Sequence, residues 1–159
     1  KIESDKKIAP RVGGSSAFRA FIESELKPQV RSRYRASEEK GLIGESLAGL
    51  FVVETFFEKP DAYDVYIALS PSVWWNGEAL SHQAAAWLKT RPKLRAVLYF
   101  ASAGDDIIAA AMARLTDALR AGAPATLNWQ YEPRPELRHD NIYRKWSPQV
   151  LRRLYKPAS

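Results

Sequence analysis

The stretch Lys40-Gly41-Leu42-Ile43-Gly44-Glu45-Ser46-Leu47-Ala48-Gly49-Leu50-Phe51-Val52-Val53 constrains this chain more than any other. A short apolar run enters it, small residues flank one serine, and an apolar run with helical spacing leaves it. That pattern predicts strand, tight turn and helix in succession. A serine at the apex of such a turn sits in strained backbone, and side chains two residues before and after it would collide where strand and helix converge. Gly44 and Ala48 meet that demand, Ala48 being one methyl larger than the usual glycine, and Gly49 keeps the approach open. The turn puts Ser46 at a helix N-terminus, where the backbone N–H of Leu47 points at any oxyanion formed beside the serine oxygen. Ser46 is thus the candidate nucleophile and Leu47 the candidate oxyanion donor. The alternative reading makes Ser46 the N-cap of a Gly/Ala-rich helix start.

A chain of 159 residues with 46% hydrophobic content can build a real core, and we expect one domain over residues 1–159. The formal charge of +6 is spread over both halves without a dense run. Because its basic residues are not interleaved with aromatics, nucleic acid is not an expected partner. The absence of cysteine excludes disulfides, thiolate metal sites and a cysteine nucleophile. No apolar run approaches the length of a membrane span, so no membrane partner is expected, and neither a metal nor a cofactor is called for. The first residue is Lys1 rather than Met, without a signal-peptide pattern, so residues upstream are expected to have been removed or left out. A soluble protein is expected, with cytoplasm and periplasm both open.

Residues 1–14 read as a loop or ragged terminus, broken by Pro10 and Gly13-Gly14. Ser15 or Ser16 can cap a helix with Phe18, Phe21, Ile22, Leu26 and Val30 on one packing face, bent or interrupted at Pro28. Beyond Ser46 a helix should run to Lys59-Pro60. A strand is expected over Tyr63 to Leu69, a helix over Glu78 to Lys89, and a strand over Leu94 to Ala101. Ile107 to Arg120 follows as helix, Ala125 to Tyr131 as the last strand, and Gln149 to Tyr155 as a short closing helix. Strands of buried type alternating with helices predict an α/β fold whose sheet is mainly parallel, with helices on its faces.

A serine nucleophile needs a base to take its proton and an acid to orient that base. The chain has two histidines. His82 falls within a helix and is expected to face solvent or pack locally. His139 lies in a loop after the last strand, where the Ser, acid, His order of α/β-hydrolases puts the base. Its plain alternative is an ordinary loop histidine. Asp105 and Asp106 end the strand in which the acid belongs, but either could cap the following helix instead. Trp74 and Trp75 follow a strand's C-terminal end and could line a substrate pocket, with core packing the alternative for at least one of them.

Gly44-Glu45-Ser46-Leu47-Ala48-Gly49-Leu50-Phe51, Ile67-Ala68-Leu69-Ser70-Pro71-Ser72-Val73-Trp74-Trp75 and the late His139-Asp140 together resemble the esterase D-like esterases, which include the enterobactin-type siderophore esterases. The resemblance runs from Gly14 onward. It implies an α/β-hydrolase fold and hydrolysis of small-molecule carboxylic esters, siderophore-type esters among them, with Ser46 and His139 as nucleophile and base. The stretch around Asp105-Asp106 is shorter than the family's Gly-x-x-Glu pattern, and the resemblance includes members that manage with Ser and His alone, so which Asp, if any, serves as acid stays open.

The resemblance also implies early strands that residues 1–14 cannot supply, and a loop after one of them that carries the second oxyanion donor. The chain is accordingly expected to be the C-terminal part of a longer protein. The strand that enters the strand–turn–helix elbow around Ser46 would lie at an open sheet edge, to be covered by the missing segment or by a partner subunit. Two function classes follow: a serine esterase acting through an acyl-enzyme on Ser46, or a non-catalytic remnant or interaction module that keeps the elbow as scaffold.

Overall fold

The computed structural model describes residues 3–8 and 12–155. Its centre is a four-stranded, entirely parallel sheet of β1 (Gly41–Glu45), β2 (Val65–Leu69), β3 (Ala96–Ala103) and β4 (Leu127–Arg134), lying side by side in chain order. Each crossover is a helix: α4 (Ser46–Glu58), α5 (Trp75–Lys89) and α6 (Ala109–Gly122). Crossovers of one hand that always step the same way across a sheet bring their helices to one face. The packing agrees, because Val52 and Phe56 of α4, Ala84 and Leu88 of α5, and Met112 and Leu115 of α6 share a core with Tyr66, Ala68, Leu98 and Phe100 of the sheet. The alternate strand residues Val65, Ile67, Leu69, Tyr99 and Ala101 face the other way, onto Ile142, Trp146 and Val150 of α7 (Ile142–Leu154). The fold is therefore α/β with helices on both sheet faces, and β1 is an edge strand.

Several local expectations are corrected. Residues 3–8 of the expected irregular N-terminus form a short helix, α1 (Glu3–Ile8), while Pro10 lies outside the described residues. Neither Ser15 nor Ser16 caps the next helix, whose N-cap is Gly14. Pro28 does not break that helix. From α2 (Ser15–Phe21) the chain passes through a π-helical stretch, Ile22–Leu26, into α3 (Lys27–Arg33). Proline cannot donate to the carbonyl four residues back and crowds it, and the widened turn just upstream, closed by Lys27 N–H donating to Ile22 O, absorbs that misfit.

The expected packing face of this helix is also corrected. Phe18, Phe21, Leu26 and Val30 are exposed, and the buried residue of α2 is Arg19. Its guanidinium donates to Glu54 at 2.9 Å and to Glu58 at 2.5 Å, tying α2 to α4 through ion pairs, while Phe18 touches Phe51.

The last strand extends to Arg134 and includes Pro133, which an edge strand tolerates because one side needs no ladder donor. The closing helix starts at Ile142 rather than Gln149, with Pro148 exposed inside it. Its four-residue spacing of Ile142, Trp146 and Val150 was a helical signal in plain sequence. Among the described residues no helix is long and apolar enough to cross a membrane.

Candidate functional site

The C-terminal ends of β1, β2 and β3 and the loop after β4 converge on Ser46. The serine has φ of +56°, in the left-handed region that costs a side-chain-bearing residue about 1 kcal/mol or more. The surroundings enforce it. A Cβ on Gly44 would stand 2.4 Å from the carbonyl oxygen of Ala48, so only glycine lets α4 fold back against β1. On Gly49 a Cβ would press to 3.2 Å from the Leu69 carbonyl and 3.0 Å from Pro71 Cα, so the glycine one position beyond the expected one seats α4 on the end of β2. Ala48 itself is exposed, which explains why its extra methyl is tolerated. The turn is closed by Ser72 N–H donating to the Ser46 carbonyl at 3.0 Å.

Ser46 does not act as the N-cap side chain. Glu45 occupies that position and α4 has no side-chain cap. The Ser46 Oγ lies instead 3.1 Å from Nε2 of His139, 93 residues away in the chain. His139 Nδ1 is 2.7 Å from Oδ1 of Asp106. A carboxylate only accepts, so Nδ1 carries the ring hydrogen and Nε2 is left as the acceptor for the serine hydroxyl. The second oxygen of Asp106 accepts from Ala103 N–H at 2.8 Å, and its side chain is nearly buried. Asp106 is thus clamped by one donor on each oxygen.

Asp105 is exposed and plays a different part, its Oδ1 accepting from the backbone N–H of His139 at 2.8 Å. Neither aspartate caps a helix, since α6 begins later, at Ala109, with Ile108 at its N-cap. The loops carrying Asp106 and His139 are joined at a second point, where Gly104 N–H donates to Leu137 O at 2.9 Å. A Cβ on Gly104 would come within 2.4 Å of the Pro135 carbonyl oxygen. Close approach of two backbones therefore demands glycine there, an effect that sequence reasoning did not identify. Ser70, also missed, adopts φ of +44° at the end of β2 and accepts from Ala103 N–H through its buried Oγ at 3.1 Å.

Glu45 is a further residue that pattern reading passed over. It ends β1, and its Oε1 is 3.9 Å from His139 Nε2. Burial raises its carboxyl above the usual range, the His139 ring works in the lowering direction, and the nearby Asp106 adds to the rise. The available signal was simply an acid next to the elbow serine.

The two tryptophans part company. Trp74 packs against the main core, as the alternative reading had it, whereas Trp75 lines a cleft of about 470 Å³ together with Leu47, Leu50, Phe51, Leu80 and Glu54. Leu47 joins that cleft to the serine. Its backbone N–H belongs to the first turn of α4, where helix geometry leaves donors without intrahelical partners. His82 is exposed on α5. Among the described residues no group of three or more histidine, aspartate or glutamate side chains is placed to hold a metal ion.

A family model described as "Putative esterase" matches residues 3–147. Ferri-bacillibactin esterase BesA of Bacillus subtilis is 46% identical over 68 residues, which are 42% of this chain and 24% of that protein. The siderophore triacetylfusarinine C esterase of Aspergillus fumigatus is 37% identical over 81 residues, 50% of this chain and 28% of that protein. In fold, the chain is similar to the crystal structure of the BES protein from Bacillus cereus, with a TM-score of 0.79 at 24% identity over 96% of this chain and 59% of that one. The chain thus spans only part of the length of the proteins it resembles.

Proposed function

The chain belongs to the Esterase family, whose model matches residues 3–147, and from that premise we propose that it carries the catalytic apparatus of a serine hydrolase that cleaves carboxylic esters through an acyl-enzyme. The hydrogen-bonded chain Asp106–His139–Ser46 is the observation that carries this reading. In it, His139 Nε2 takes the hydroxyl proton as Ser46 Oγ attacks the ester carbonyl, and Asp106 holds the ring hydrogen on Nδ1 and balances the imidazolium that forms. The oxyanion receives the Leu47 N–H at the start of α4. His139 then gives the proton to the departing alcohol, and water repeats the sequence on the acyl-enzyme.

One oxyanion donor is less than such chemistry uses, and removal of one costs about 10²–10³ in rate. In this reading the second donor comes from a further segment of the natural protein, or from a partner subunit, that covers the open edge of β1. The edge position of β1 and the greater length of the relatives support it. Of the two relatives named above, one is a siderophore triacetylfusarinine C esterase and the other a ferri-bacillibactin esterase, so siderophore-type esters are the first substrates to try. A non-catalytic role would leave the hydrogen-bonded alignment of Asp106 and His139 on a strained serine without a purpose.

The test is labelling of the complete natural protein with a fluorophosphonate probe, followed by mapping of the modified residue. Ser46 should be labelled, and Ser46→Ala should lose both labelling and hydrolysis of an activated ester while keeping its circular dichroism. An Ala variant that kept more than about a tenth of the activity would end this assignment.

A further inference from the structure

Glu45 has no role in the proton transfers just described, although its carboxylate stands beside the nitrogen that conducts them. The inference rests on the serine hydrolase reading and deepens it. In that reading His139 Nε2 must come within about 2.6–3.2 Å of the leaving oxygen to protonate it. Oε1 of Glu45 is 3.9 Å from the same nitrogen, so the leaving oxygen lies no more than about 7 Å from the carboxylate. That reach brings the alcohol portion of the ester within range of the Glu45 carboxylate, while in the hydrolase reading the carbonyl oxygen is held at Leu47 on α4.

We propose that Glu45 is a specificity-determining residue, whose carboxylate faces the alcohol portion of the ester and favours alcohols bearing a positive charge near the ester oxygen over neutral ones of the same shape. Three observations support this. The side chain is only 28% exposed, so its charge is less screened than that of a surface acid. Among the described residues no lysine or arginine is paired with it; the nearby cation Arg138 is turned toward Asp105 and Asp140, with Nε at 3.9 and 3.6 Å. The charged groups at this end of the sheet include the acids Asp105, Asp106 and Asp140 and the cations Arg134 and Arg138, and each of these cations already faces an acid other than Glu45.

A cation facing a partly exposed carboxylate gains enough to raise kcat/KM about two- to fivefold. The choline ester and the 3,3-dimethylbutyl ester of one acyl group make the comparison, because trimethylammonium and tert-butyl have nearly the same shape. Both should be assayed with the complete natural protein and with Glu45→Gln over a range of alkaline pH, because burial raises the Glu45 carboxyl and only its ionised form attracts a cation. Wild type should prefer the choline ester, and Glu45→Gln should lower the choline-to-neutral ratio by that factor. The ratio is internal to each sample, so a partly unfolded variant does not distort it, and Glu45→Ala gives the same comparison if the Gln variant does not fold. Equal ratios in wild type and variant, with the neutral ester turned over and Ser46 labelled, would overturn the role of Glu45 and leave the hydrolase reading standing. No turnover of either ester and no labelling of Ser46 would overturn the hydrolase reading, and this inference with it.

Discussion

Substituting each aspartate of the Asp105-Asp106 pair by asparagine should separate them by orders of magnitude in rate, for a reason visible in their hydrogen bonds. Both oxygens of Asp106 accept from N–H groups, one from His139 Nδ1 at 2.7 Å and one from Ala103 at 2.8 Å. An asparagine has one acceptor and one donor, so it can satisfy only one of them. If its carbonyl takes Ala103 N–H, its amide hydrogens face Nδ1 and force the hydrogen onto Nε2, which can then no longer accept from Ser46. If it turns over, the amide meets the Ala103 N–H donor. That costs about 1–3 kcal/mol, softened by the Ser70 Oγ that also accepts from Ala103. The flipped form still lacks the charge that balances the imidazolium.

A wrong tautomer in a Ser-His-Asp site costs about 10⁴ in kcat, so Asp106→Asn should lose about 10³–10⁴. Asp105→Asn keeps an acceptor for His139 N–H at an exposed position and should stay within about threefold of wild type. The assay is kcat on an activated p-nitrophenyl ester with the complete natural protein, alongside thermal unfolding to confirm that both variants fold. A loss for Asp105→Asn equal to that for Asp106→Asn, or an Asp106→Asn enzyme with more than about a tenth of wild-type kcat, would refute the reasoning.

His139→Ala should abolish ester hydrolysis whereas His82→Ala, on the exposed side of α5, should leave it within a few-fold; the reverse ranking would overturn the assignment of the base. Gly104→Ala drives a methyl toward the Pro135 carbonyl and should pry apart the loops bearing Asp106 and His139, lowering kcat about 10²-fold while the fold survives; unchanged kcat in a folded variant would show that the two loops adjust freely. Burial pushes the Tyr99 hydroxyl up to about 12, with its hydrogen bond to Glu132 adding to the rise against the Trp146 N–H, and burial pushes Tyr63 to about 12 as well. The native state then holds these protons more tightly than the unfolded chain. Their stabilising contribution, about 2–3 kcal/mol each, is whole below about pH 10 and is lost as pH rises toward about 12. Tyrosinate absorbance followed beside circular dichroism should show these groups ionising as the fold is lost, and ionisation of all tyrosines near pH 10 in a folded protein would contradict it.

The elbow and the alternation of strands and helices were legible in the chain because both rest on local physics. Glycine at position 44 answers a steric demand set within four residues, and buried strands and amphipathic helices announce themselves by composition and period. The candidate base could be reached as well, since a late loop histidine after the last strand follows from chain order. The division of labour between Asp105 and Asp106 could not, because adjacent side chains leave a turn in different directions. Which one meets a ring 33 residues away depends on the register of β3 against β4 and on the contact of Gly104 with Pro135. The same holds for Trp74 turning to the core while Trp75 turns to the cleft, and for Glu45 lying beside His139. The helix from Ser15 to Arg33 marks the opposite limit. Its apolar spacing correctly predicted a helix but not its packing, because a period identifies a face and only the assembled neighbours decide what lies against it. Here an ion-paired arginine anchors the helix, and Phe18, Phe21, Leu26 and Val30 stay exposed.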